Sequence, residues 1–270
     1  MKYAFSLAAV CAALCSPALA ETPFKVPVTG EVLNGWVMSD GTRMAALRLS
    51  LAPGWKTYWR APGDAGIPPE FDWSGSDNLD SVAINWPAPK VFDQNGMRSV
   101  GYEKNLIIPL HIKPTQGGTP VSLKATMEMG ICADVCVPHR LQFDAEINAE
   151  GLTPTPAIAA ALAARPYSAS EAGVTSANCI ISPTSDGFAI EARVDMPSAG
   201  GREYVVIEPG QDHVWVSEAK THRTGSTVVA ISEMVHVNGG TIALDRSAVR
   251  ITVLGSKYAV DVKGLSLIHI

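Results

Sequence analysis

Val121-Ser122-Leu123-Lys124-Ala125-Thr126-Met127 and Leu141-Gln142-Phe143-Asp144-Ala145-Glu146-Ile147 flank the run Glu128-Met129-Gly130-Ile131-Cys132-Ala133-Asp134-Val135-Cys136-Val137-Pro138-His139. Both flanks alternate apolar and polar residues, the pattern of half-buried strands. A fully extended chain would hold the α-carbons of Cys132 and Cys136 roughly 13 Å apart, whereas a disulfide needs them within about 7 Å. A bond between them requires the segment to turn back on itself, so the reading is a thiol pair on the loop between two strands. A bridge over so few residues restricts the unfolded chain little. Stability alone explains the pair poorly.

Working outward, the same alternation recurs at residues 31–38 and 42–51, joined by the turn signal Ser39-Asp40-Gly41. Residues 82–86 and 106–112 read as further strands, and residues 91–102 as a polar connection holding Phe92 and Tyr102. Residues 54–69 are too rich in glycine and proline for a continuous regular element. About seven short strands before residue 150 predict an immunoglobulin-like β-sandwich. It lacks the inter-sheet disulfide of antibody domains, because Cys132 and Cys136 are too close in sequence to bridge two sheets. Residues 151–168 predict a helical linker with proline in its first turn and Pro166 as its stop. Residues 169–265 resume the alternation and predict a second, smaller β-sandwich. With 23 glycines and 19 prolines punctuating short segments, the chain reads as all-β. The last residues, 266–270, receive no function.

Residues 1–20 combine Lys2, an apolar run and small residues at Ala18 and Ala20, which predicts an export signal and a mature start at Glu21. Cys11 and Cys15 leave with that signal, and Cys132, Cys136 and Cys179 remain in an oxidising compartment. Cys179, in an apolar strand pattern, reads as a buried inert thiol. No later apolar run is long enough to span a bilayer. The formal charge of −5 without a basic cluster argues against nucleic acid and anionic membrane surfaces as partners.

Two chemistries suit the sulfurs. Thiol-disulfide exchange needs an attacking thiolate, an accessible sulfur and a second cysteine to resolve the mixed disulfide. Asp134 would disfavour a thiolate and protonated His139 would favour one, unless both are ordinary loop residues. Pro138 would fix the exit of the loop. The alternative is copper(I), with Cys132 and Cys136 joined by His139, Met127 or Met129. Met127 and Met129 should share one strand face, which could equally be the core. A structural zinc site wants four ligands where this stretch names three, so no metal site is assigned. Trp55, Tyr58 and Trp59 either fill the core or border the thiol pair. A third reading is a non-catalytic interaction module whose disulfide fixes a loop.

Four motifs in order, Gly54-Trp55-Lys56-Thr57-Tyr58-Trp59-Arg60-Ala61-Pro62-Gly63-Asp64-Ala65-Gly66-Ile67-Pro68-Pro69, Trp86-Pro87-Ala88-Pro89, Gly101-Tyr102-Glu103 and Cys132-Ala133-Asp134-Val135-Cys136-Val137-Pro138, resemble the periplasmic N-terminal domain of DsbD-type and ScsB-type thiol:disulfide interchange proteins. The resemblance covers residues 32–147. It implies an immunoglobulin-like fold whose pair, here Cys132 and Cys136, takes electrons from a membrane-embedded donor and reduces periplasmic thioredoxin-like or disulfide-isomerase-like proteins. No cofactor beyond the redox-active disulfide is implied. In the DsbD type the second cysteine forms the mixed disulfide, which points to Cys136. DsbD-type members shield the disulfide with an aromatic cap loop, a role for which Phe92 and Tyr102 are the candidates. The three-residue spacing is closer to the ScsB-like branch. Full-length members also carry transmembrane and thioredoxin-like parts not found in this sequence, which is expected to act as a separate piece or to be an incomplete one, and either way to take its reductant from another protein.

Overall fold

The computed structural model describes residues 27–64, 66–94, 97–151 and 153–267. The expected export signal, the start at Glu21 and residues 268–270 lie outside the described residues. In chain order the first half holds β1 (Val28–Val37), β2 (Arg43–Leu51), β3 (Lys56–Tyr58), β4 (Glu70–Asp72) and β5 (Leu79–Ile84). It continues with β6 (Lys90–Gln94), β7 (Met97–Glu103), β8 (Asn105–Pro114), β9 (Val121–Cys132) and β10 (Cys136–Ile147). These form two sheets, one ordered β1-β2-β8-β5 and the other β10-β9-β3-β7-β6 with β4 also on β9. All their pairings are antiparallel.

Strand β9 shows why the two sheets face each other. Val121, Leu123, Ala125, Met127, Met129 and Ile131 are all buried in one core, and the alternate positions Lys124 and Glu128 are exposed. Since side chains alternate across a strand, one face of β9 builds the sandwich interior and the other leaves it. The core is completed from the facing sheet by Leu47, Leu49, Ile108, Leu110 and Ile112. The fold is the immunoglobulin-like sandwich that the sequence predicts.

Two readings are corrected and one is refined. Residues 91–102, expected as a connection, form the β6–β7 hairpin at the edge of the second sheet. The glycine- and proline-rich segment 54–69 is no continuous regular element, as read, but it holds one short strand, β3, inserted between β9 and β7. Both strands around the cysteines run further than their alternation suggested, up to Cys132 and from Cys136 onward.

Helix α1 (Pro156–Ala163) is more than a connector. Ile158 is fully buried against Met44 and Ala46 on the outer face of the first sheet. The second half comprises β11 (Tyr167–Ser168), β12 (Ser176–Pro183), β13 (Phe188–Asp195), β14 (Tyr204–Glu208) and β15 (Val214–Val216). After these come β16 (Lys220–Thr224), β17 (Thr227–His236), β18 (Arg250–Leu254), β19 (Ala259–Lys263) and β20 (Ser266–Leu267). They build a second sandwich from the sheets β11-β19-β18-β14 and β15-β17-β13-β12-β20, with β16 also on β17. Its separate core includes Ile190, Val205, Ile251 and the free, buried Cys179. The two halves touch: Leu254 and Ala259 join the first core, and Tyr204 and Val206 pack against it.

Candidate functional site

Cys132 and Cys136 are directly paired across β9 and β10, with α-carbons 4.1 Å apart, and form a disulfide. The pair therefore closes the hairpin, and only Ala133, Asp134 and Val135 lie in the turn. Register determines which residues can reach the sulfurs. Cys132 also pairs with Lys56 on β3, so the two side chains leave the same face of the sheet. Ile131 pairs with Thr57 and points to the core side. Tyr58, two residues beyond Lys56, returns to the disulfide face.

The ring of Tyr58 crosses over Gly130. A β-carbon at that position would lie 2.9 Å from Cδ2 and Cε2 of the ring, so glycine is what permits the close approach. On its other edge the ring meets Gly66, where an added β-carbon would be 2.9 Å from Cδ1. Held between these glycines, Tyr58 places its hydroxyl 2.8 Å from Cys132 Sγ and 3.1 Å from Cys136 Sγ. Disulfide sulfurs carry no hydrogen, so the tyrosine is the donor to both. Burial raises the Tyr58 pKa above its ordinary value, which keeps the hydroxyl protonated and donating.

The two sulfur-bearing residues differ sharply in access. Cys132 is 1% exposed, beneath Tyr58, whereas Cys136 lies on the exposed side of the hairpin. Around Cys136 the surface is apolar for a protein exterior, with Val135 69%, Val137 38% and Ile67 41% exposed. Lys56 is 7% exposed; burial lowers its pKa, and Glu103 across the β3–β7 pair counters that effect. Its ammonium lies 4.9 Å from the centroid of the Phe92 ring.

The structure separates the expected site residues. Tyr58 reaches the sulfurs, and Phe92 is a half-buried residue beneath Lys56. Tyr102, the other cap candidate, is instead a core residue: it is 7% exposed, stacks on Trp86 and donates its hydroxyl to the carbonyl of Pro87 at 2.8 Å. Trp59 is also core, fully buried, because it follows Tyr58 and points to the other face. Asp134 is exposed at the turn. Pro138 lies within β10 rather than in a loop exit, at the sheet edge where a missing amide hydrogen is tolerated. His139 pairs with Met129 and so belongs to the face opposite the disulfide. Met127 and Met129 are core residues on that opposite face, which removes them and His139 from reach of the sulfurs as a ligand set. Among the described residues no group of three or more His, Cys, Asp or Glu converges as metal ligands would.

Sequence reasoning did not single out Lys56, Gly66 or Gly130. The available signal was Gly130 itself, a glycine two residues before a cysteine at the end of an apolar strand, a position that often marks another group's close approach.

With this geometry in place, comparison with known proteins becomes specific. Residues 29–147 match the family described as thiol:disulfide interchange protein DsbD, N-terminal. All four motifs that carry the resemblance fall inside the matched segment, as do Tyr58 and both paired cysteines. At family level the match is to thiol:disulfide interchange. Among solved structures, the chain is similar to the N-terminal periplasmic domain of ScsB from Proteus mirabilis. The TM-score is 0.64 at 20% identity, over 88% of this chain and 92% of that one, a likeness of fold that reaches beyond the matched segment into the second sandwich. No curated protein matches the chain. Among the described residues no helix is long and apolar enough to cross a membrane.

Proposed function

We propose that the protein is a periplasmic electron relay that passes reducing equivalents from a membrane-embedded DsbD- or ScsB-type donor to oxidised thioredoxin-like or disulfide-isomerase-like proteins. The observation that carries this reading is the asymmetry of the disulfide, one sulfur-bearing residue sealed beneath a hydroxyl donor and its partner exposed at a hairpin tip. The DsbD-type match supports both the chemistry and the compartment. In this reading residues 1–20 are removed on export, residues 21–150 form the redox domain, residues 151–168 connect it to the domain of residues 169–265, and no cofactor takes part.

The steps follow from the geometry. A donor thiolate attacks Cys136 Sγ, a new sulfur–sulfur bond forms, and the electron pair of the Cys132–Cys136 bond passes to Cys132 Sγ. Tyr58 donates to that departing sulfur as it becomes a thiolate, and hydrogen bonds to charged acceptors are the stronger kind. The donor's second cysteine then attacks its own partner sulfur in the mixed disulfide and releases Cys136, leaving the donor oxidised and this protein reduced. In the forward half, the Cys136 thiolate attacks the disulfide of an oxidised partner. Cys132 next attacks Cys136 Sγ, which restores the internal disulfide and releases the partner reduced.

Trapping tests this reading. Cys132→Ser, produced in the periplasm, retains the exposed nucleophile without the resolving thiol and is expected to accumulate a disulfide-linked complex with a thioredoxin-like protein. Cys136→Ser is expected to yield little. If neither variant gives such a complex, the relay reading is lost.

A further inference from the structure

Between the two sandwiches runs a cavity of about 370 Å³, lined on one side by Pro62, Gly63 and Gly66 and on the other by Val206, Ile207 and Trp215. Apolar packing across this gap is therefore incomplete, and two ion pairs bridge it. Arg60 makes a two-pronged contact with Glu208 of β14, Nε to Oε1 and Nη2 to Oε2, both at 2.9 Å. Arg98 of β7 meets Glu218 at 2.5 Å and lies over the Tyr204 ring. The Arg60 and Glu208 side chains are only 15% and 23% exposed, and the guanidinium lies 4.0 Å from the centroid of the Trp59 ring. Such a bidentate pair fixes orientation as well as distance.

Both anchored residues adjoin the segment that packs on Tyr58. Arg60 begins that loop two residues after Tyr58. Val100, two residues after Arg98, accepts from the Trp59 amide and donates to the Pro62 carbonyl, each at 2.9 Å. A chain of contacts thus runs from Glu208 through Arg60 and Pro62 to Gly66, which abuts both Pro62 and the Tyr58 ring.

We propose that the second sandwich is a buttress for the redox centre, with Arg60 and Glu208 as positioning residues that hold the loop, and through it the Tyr58 hydroxyl, against the Cys132–Cys136 disulfide. The proposal rests on the exchange reading of that disulfide. It assigns to the second half of the chain a part in the chemistry, although among the described residues none of that half bonds to the sulfurs.

The test is the rate at which reduced glutathione opens the disulfide of the full chain, a step in which glutathione thiolate bonds to Cys136 Sγ and Cys132 leaves as the thiolate. Removing the donor in Tyr58→Phe is expected to slow this step about tenfold. Glu208→Gln is expected to slow it about threefold, because the hydroxyl is present but less well held. In the Tyr58→Phe background Glu208→Gln is expected to have no further effect, since nothing remains to position. Equal slowing by Glu208→Gln in both backgrounds, or no slowing in either, overturns the proposal. Should Glu208→Gln fold poorly, Arg60→Lys, which keeps the charge and loses the two-pronged geometry, is read by the same criterion. Glutathione replaces any physiological partner, so the outcome is independent of whether trapping finds a protein complex.

Discussion

Cys132→Ser is expected to leave a thiol at position 136 that iodoacetamide alkylates on the order of a hundredfold faster than it alkylates position 132 in Cys136→Ser. The difference follows from burial. Cys132 is 1% exposed under the Tyr58 ring, so a reagent reaches it only when that ring lifts, whereas Cys136 is exposed. A local opening that costs about 3 kcal/mol suppresses the reactive population by roughly two orders of magnitude. The measurement is intact-mass or peptide-mass kinetics of alkylation, which also follow the buried Cys179 as an internal slow reference. Rates within a few-fold of each other would show that Tyr58 and its loop do not seal Cys132 in solution.

The largest expected effect on stability belongs to Trp59. Its side chain is fully buried in the first core, and its backbone amide bonds Val100 across the sheet. Trp59→Ala is expected to destabilise the first sandwich by about 3–5 kcal/mol, the transfer cost of the ring plus that of the cavity it leaves. Urea denaturation monitored by intrinsic fluorescence and circular dichroism checks this as a lower midpoint. A loss below about 1 kcal/mol would mean that the Trp59 pocket collapses readily or that the residue is less well packed than its burial implies. Because Trp59 adjoins Tyr58 and lies beneath the Arg60 guanidinium, the same variant is also expected to loosen the redox loop.

Part of this arrangement was legible in the sequence because its cause is local. Strand β9 announces itself through period-two alternation from Val121 to Met127, and the cysteine spacing implies a turn whenever the two sulfurs bond. The signal fails at Met129-Gly130-Ile131-Cys132, where both faces are covered: the core takes Met129 and Ile131, and the Tyr58 ring lies over Gly130. With no exposed position to supply a polar residue, alternation disappears and the strand end reads as loop. The β6–β7 hairpin eludes the pattern for the opposite reason, since an edge hairpin presents polar residues that resemble a connection. Strand β3 was hidden among glycines and prolines and owes its conformation to the strands on either side of it.

The composition of the site depends on contacts between residues distant in sequence. Tyr58 and Cys132 are 74 positions apart, and nothing in either neighbourhood encodes the register that puts Lys56 opposite Cys132. Aromatics at Tyr58 and Trp59 offered two candidates for the disulfide, and strand alternation sends them to opposite faces, one to the sulfurs and one to the core. The same rule separates His139 from Cys136, three residues apart on one strand and therefore on different faces. Phe92 and Tyr102 were both candidates for the cap, and only the partners across the sheet distinguish them.

The central claim, that Cys132 and Cys136 form an exchanging pair rather than a staple, is tested most directly by the reduction potential of their disulfide, measured by equilibration in glutathione or dithiothreitol buffers. Exposure at Cys136 and stabilisation of the reduced form by the Tyr58 hydroxyl predict a value between about −270 and −180 mV, the range of exchange proteins. A potential below about −300 mV, where structural disulfides resist reduction, would contradict the account and leave the bridge as a clasp on the hairpin.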